Sequence, residues 1–320
     1  MKQQSSRGAT GVLLLFAALM MAVTLPLRIW QQIYLVESET GFWAVDGGRA
    51  TVVLLYIAMA AMVALPFATG LMLRRRLTLD LTRKPRALEG AAAILVAVAI
   101  TVGAAVALHF ALSVMSGQEI VPGLVPQPEE SMMQYYLRSG AMAALLEAVF
   151  GALSALFFVS LAIVNLRPAK QNYLNRFLAL TPVLWIICRV LRRFSRTIAY
   201  LRVSDLFITI AALVLLMLFL LAFAQILSGI NNKGREWRLM AAGVPAAALL
   251  LLGFLPRLVA YGFMDLVPSQ DAVIEWVDPA MALFICVFLY GRLTQGSGIR
   301  IQDSGAVSTE EDPGEETEEV

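Results

Sequence analysis

The chain reads as an all-α integral membrane protein, a bundle of about eight transmembrane helices, on three observations: its composition, the length of its apolar runs and the placement of its basic residues. Of 320 residues, 59% are hydrophobic and 15% charged, with a mean hydropathy of +0.74. Soluble domains carry about a quarter charged residues, so too few polar groups exist here to cover a globule. Apolar runs near 11–30, 50–73, 90–115, 136–165, 203–229, 238–262 and 273–293 each match the roughly 20 residues that cross a ~30 Å hydrocarbon core. An eighth run, 177–195, is arguable. Arg74, Arg75, Arg76, Arg83, Lys84 and Arg86 follow the second run and mark that loop as cytoplasmic.

The first run has a basic start, Lys2 and Arg7, but no small-x-small cleavage site, so it reads as a retained anchor. From the loop after the second run the others alternate. With eight spans both termini are cytoplasmic, and 16 basic residues lie inside against 9 outside. Acids fall on the outer side: Glu37, Glu39 and Asp46, then Glu119, Glu129 and Glu130, then Asp265 and Asp271. Trp30, Tyr34, Trp43, Tyr135, Tyr136, Tyr261 and Trp276 form an aromatic belt at the same edge. These features predict a polytopic membrane domain over 1–302. Residues 303–320 hold eight acids, leaving 25 basic and 15 acidic residues before them, a charge of +10 for the membrane domain. That stretch predicts a disordered acidic cytoplasmic tail, either merely solvating or engaging a cytoplasmic protein.

Arg28 at the end of the first span, Thr40-Gly41-Phe42 after it, Pro182-Val183-Leu184-Trp185 and Ser204-Asp205-Leu206 together carry a likeness. The pattern resembles uncharacterised multi-pass membrane proteins of anaerobic Gram-positive (clostridial-type) bacteria. The resemblance implies a bacterial plasma membrane and no known activity.

The arguable segment carries Arg189, Arg192, Arg193, Arg196 and Arg202, which an eight-span topology puts at the outer face, against the positive-inside tendency. At 100° per residue the first four fall within about 100° of one another, a basic stripe on an amphipathic helix. Either the helix crosses and turns its arginines into an outward-facing polar cavity, or residues 177–202 lie along the cytoplasmic interface with the arginines toward headgroups. The second arrangement leaves seven spans, places the acidic tail outside and gives 17 basic residues inside against 8 outside, so charge counting does not separate the two. A voltage sensor is a poor fit, because its arginines recur every third residue.

Ionisable residues at membrane depth are costly and are site candidates. Glu147 lies about 16 Å below the outer end of the fourth run, on a stripe with Gly140, Ala144, Gly151 and Ala155 that predicts close helix approach. Arg189 lies about 18 Å from the inner end of its run, and the near match in depth predicts a Glu147–Arg189 pair, structural or functional. Asp278, before Pro279, and Asp205, after Ser204, read first as helix caps. Asp271, Glu275 and Asp278 share a face at i, i+4, i+7, an acidic edge suited to the arginine stripe. His109 reads as a packing or interface histidine. Arg28 and Arg257, each just after a proline, read as snorkelling to headgroups or lining the same cavity.

No phosphate loop, dinucleotide fingerprint, zinc-protease or serine-elbow motif is present, nor a basic-aromatic surface for nucleic acid. Cys188 and Cys286 sit in apolar runs and suggest neither a disulfide nor, with one histidine, a metal centre. No catalytic residue and no cofactor is predicted. The sequence points to a transporter or membrane-embedded binding component whose cavity is lined by Glu147, Arg189, Arg192, Arg193, Arg196, Asp205 and Asp278. Its ligand would be an anionic or zwitterionic small molecule or a lipid headgroup. The alternatives are a non-catalytic sensor or assembly partner whose charges are structural, and an intramembrane enzyme on lipid-linked substrates with Glu147 as acid or base.

Overall fold

A computed structural model describes residues 4–36, 48–73, 87–118, 130–166, 177–196, 206–228, 237–262 and 275–295. The elements are α1 (Gln4–Tyr34), α2 (Arg49–Leu73), α3 (Ala87–Met115), α4 (Met132–Arg138), α5 (Ala141–Leu166), a 3-10 turn η1 (Leu178–Leu180), α6 (Thr181–Arg196), α7 (Leu206–Leu227), α8 (Trp237–Gly262) and α9 (Val277–Gln295). The fold is all-helical among the described residues. Six helices, α1, α2, α3, α5, α7 and α8, are long and apolar enough to cross a membrane, and α9 contributes a shorter apolar stretch, Val277–Gly291.

The outward faces are apolar: Val98, Val102 and Val106 on α3 and Leu156 and Ile163 on α5 are at least half exposed. Such faces suit lipid rather than water, and helices close their own backbone hydrogen bonds within it. α8 is the central helix, with 83% of its span buried, and packs against α1, α2, α7 and α9. Small residues allow this approach: a Cβ on Gly243 would stand 2.9 Å from Phe219, and one on Gly151 of α5 would stand 3.0 Å from Ala104 of α3. Aromatic rings join α5, α7 and α9, with Phe158 edge-on to Phe284 at 5.4 Å and Phe223 to Phe288 at 5.0 Å.

Contacts between helix ends define the two ends of the bundle. At one, Gly90 of α3 meets Leu166 of α5, and Gly70 of α2 meets Trp237 of α8. At the other, Tyr56 of α2 meets Phe207 of α7, and Phe254 of α8 meets Trp276. Between Leu166 and Leu206 the chain therefore passes from one end to the other, and α6, packed on α5 and α7, runs along that stretch.

The apolar run at 136–165 is not one helix. Ser131 and Gln134 form a capping box at the start of α4, and Gly140, at φ +76°, breaks the helix before α5 begins at Ala141. A left-handed residue cannot continue a right-handed helix, and glycine adopts it without steric cost. The predicted tail, 303–320, lies outside the described residues.

Candidate functional site

The site begins with the two faces of α6. Leu184, Ile187, Leu191 and Phe194, with Leu180 of η1, are exposed by 38–50%, whereas Arg189 on the opposite face is 3% exposed. Arg189, Arg192 and Arg193 point into the bundle and the apolar face points out. A helix resting on headgroups shows the reverse orientation.

Glu275 and Asp278, at the start of α9, receive these arginines. Arg189 is ion-paired with Glu275, and its Nη2 donates to Asp278 Oδ1 at 2.9 Å. Arg193 Nη2 donates to Glu275 Oε1 at 2.9 Å, and Arg192 Nη2 reaches the same oxygen at 3.4 Å. Trp185, one turn back on α6, lies under the Arg189 guanidinium at 5.1 Å. Arg189 Nη1 is buried with no hydrogen-bond partner. The anticipated acidic edge is therefore present at Glu275 and Asp278, while Asp271 lies outside the described residues. The cap expected at Asp278 is not made: α9 starts at Val277, so Asp278 is already inside the helix with its carboxylate on Arg189.

Glu147 points inward as its small-residue stripe predicts, with Ala144, Gly151 and Ala155 buried beside it on α5. Its partner, however, is Arg192 rather than Arg189, with Arg192 Nε 2.8 Å from Glu147 Oε2. The N–H is not aligned on that oxygen, so the contact is between charges and is not a hydrogen bond. The depth argument erred because it counted from residue 136. From Ala141, Glu147 is six residues in, about 9 Å rather than ~16 Å, which brings it level with the next turn of α6.

Arg28 and Arg257 do not snorkel. Arg28 is fully buried and donates to Gln32 Oε1 at 3.0 Å and Gln31 Oε1 at 3.4 Å, four and three residues along α1. That spacing was open to the sequence. Arg257, 5% exposed, donates to Thr209 on α7 at 3.1 Å and stands close enough to Arg193 for the like charges to repel. Nothing in the sequence marked Thr209, 48 residues away, as its acceptor. Sequence reasoning also missed Glu89, buried in the first turn of α3. His109 is exposed on α3. Asp205 and the side chain of Arg196 lie outside the described residues.

An apolar groove of about 570 Å³ lies away from the charges, between α1, α8 and α9, lined by Met21, Val244, Leu251, Cys286 and Tyr290 among others, none of them charged. No group of histidine, cysteine and carboxylate side chains suited to a metal ion occurs among the described residues. What the charged site offers chemically is a set of guanidinium donors against three carboxylates, and the planar guanidinium fork matches the oxygens of a carboxylate or phosphate. No known protein family, curated protein or solved structure matches the chain.

Proposed function

We propose that this multi-pass membrane protein is a transporter or membrane-embedded binding component that takes an anionic or zwitterionic ligand at the α6 arginine cluster. The observation that carries the reading is the inward arginine face of α6. Each arginine at membrane depth costs about 2.5–3.5 kcal/mol on insertion scales. Replacing a buried ion pair by packed apolar side chains is often neutral or stabilising by about 1–4 kcal/mol, so helix packing alone gives little reason to keep the cluster. η1 and α6 together extend about 30 Å, enough to cross, and the end-to-end passage of the chain between α5 and α7 supports α6 as an eighth span beside α9. The basic loop after α2 then supports a cluster facing the outside of a plasma membrane, with both termini cytoplasmic.

A second reading, a non-catalytic sensor or assembly partner, is favoured by one fact: Arg189, Arg192 and Arg193 each already meet a carboxylate. A thermal-shift screen of the detergent-purified protein against phosphate, sulfate, carboxylates and amino acids separates the two. A bound ligand at about 100 times its Kd stabilises by about 2.7 kcal/mol. The expected outcome is a raised Tm in the wild type that Arg189→Gln abolishes. A flat screen, with Arg189→Gln changing only the basal Tm, supports the structural reading.

A further inference from the structure

Glu275 is the carboxylate that meets all three described arginines of the stripe, and it stands just outside α9, two residues ahead of Val277. One bidentate guanidinium already matches a carboxylate's two oxygens. Here three guanidiniums converge on it, Asp278 takes a further N–H of Arg189, and Arg189 Nη1 still lacks an acceptor. Arg189 Nη1 is therefore a buried donor that neither Glu275 nor Asp278 uses. A phosphate group brings additional acceptor oxygens and up to one more negative charge.

We propose that Glu275 is a built-in occupant of an oxyanion site, holding Arg189, Arg192 and Arg193 until the phosphate group of a ligand displaces it. The inference rests on the ligand-binding reading above and names the ligand's chemical class. Two features favour displacement. The side chains of Glu275, Arg192 and Arg193 keep 13–17% exposure, against 3% for Arg189 and 6% for Glu147, so the Glu275 side is the less buried side of the cluster. The Glu275 backbone is held by the Asp278 N–H, which donates to its carbonyl at 3.1 Å, so release is a side-chain rotation that leaves α9 folded. Asp278 stays on Arg189 and keeps that guanidinium in place.

The test is calorimetric titration of the full-length chain in detergent with inorganic phosphate. An intramolecular occupant present about 90% of the time weakens apparent affinity about tenfold. Glu275→Gln is therefore expected to bind phosphate about tenfold more tightly than the wild type, and Arg193→Gln to lose binding. Asp278→Asn removes the same charge but a carboxylate that meets only Arg189, and should gain far less. Any destabilisation of Glu275→Gln should be reversed by phosphate in a thermal melt. Wild-type binding that Glu275→Gln does not tighten, or that Asp278→Asn tightens equally, overturns the displacement and leaves the ligand-binding reading intact. Absence of phosphate binding in every variant overturns the phosphate assignment, and only a flat ligand screen as well removes the reading beneath it. A parallel titration with short-chain phosphatidic acid distinguishes the source: tighter lipid binding assigns a headgroup, tighter phosphate a free ion, and either sustains the proposal if Glu275→Gln strengthens it.

Discussion

Glu147 and Arg192 face each other at 2.8 Å without an aligned hydrogen bond, so their coupling is chiefly one of charge. Residues in contact couple by about 0.5–3 kcal/mol in double-mutant cycles, whereas separated ones add to within about 0.5 kcal/mol. Glu147→Gln combined with Arg192→Gln should therefore show coupling in the upper range, and Glu147→Gln combined with Arg189→Gln, linked through Arg192 and Glu275, a smaller one. Reversible unfolding of the four corners of each cycle in mixed detergent measures this, and equal couplings would refute the partner assignment. At this scale the sequence disclosed Glu147 and Arg189 as buried charges, because each interrupts an apolar run, but not Glu89, which lies at a helix start beside the basic loop. It did not disclose who meets whom. One glycine, Gly140, moved the start of α5 by five residues and so shifted the partner of Glu147 by a helical turn.

Along α8, two glycines ten residues apart do different things. A Cβ on Gly243 would press on Phe219 at 2.9 Å and Leu289 at 3.1 Å, while one on Gly253 would meet nothing closer than Ile208 at 3.9 Å. Overpacking typically costs about 1–3 kcal/mol. Gly243→Ala should accordingly lower Tm in detergent by several degrees, and Gly253→Ala should leave it unchanged or raise it through helix propensity, worth about 1 kcal/mol. A Gly243→Ala protein as stable as the wild type would show that α7 and α9 yield at this seam. The faces of α6 were legible as angles, since the stripe at Arg189, Arg192 and Arg193 follows from 100° per residue. Which face turns inward was not, because an amphipathic helix has the same pattern on a membrane surface and within a bundle. Only the carboxylates of α5 and α9 decide between them.

For the whole molecule, hydropathy picked out the six long spans and α9, and left α6 open because its apolar content is concentrated on one side. Impermeant thiol labelling of Thr197→Cys, in a chain lacking Cys188 and Cys286, tests the eighth crossing in intact cells. Modification from outside is the expected result, and modification only after lysis would place the end of α6 in the cytoplasm and remove the outward site. The reversed faces of α6 also bear on the order in which the protein is made. Its arginines leave the ribosome with Glu147 already synthesised but 82 to 89 residues before Glu275 and Asp278, the carboxylates that meet Arg189 among the described residues. Translation is therefore well past α6 before the counter-charges of Arg189 and Arg193 exist, and at about 2.5–3.5 kcal/mol for each arginine the segment is a poor passenger into lipid by itself. The start of α9, the last described helix, thus supplies the carboxylates that hold Arg189 and Arg193 of α6 inside the bundle, so those contacts form only after α6 has been made.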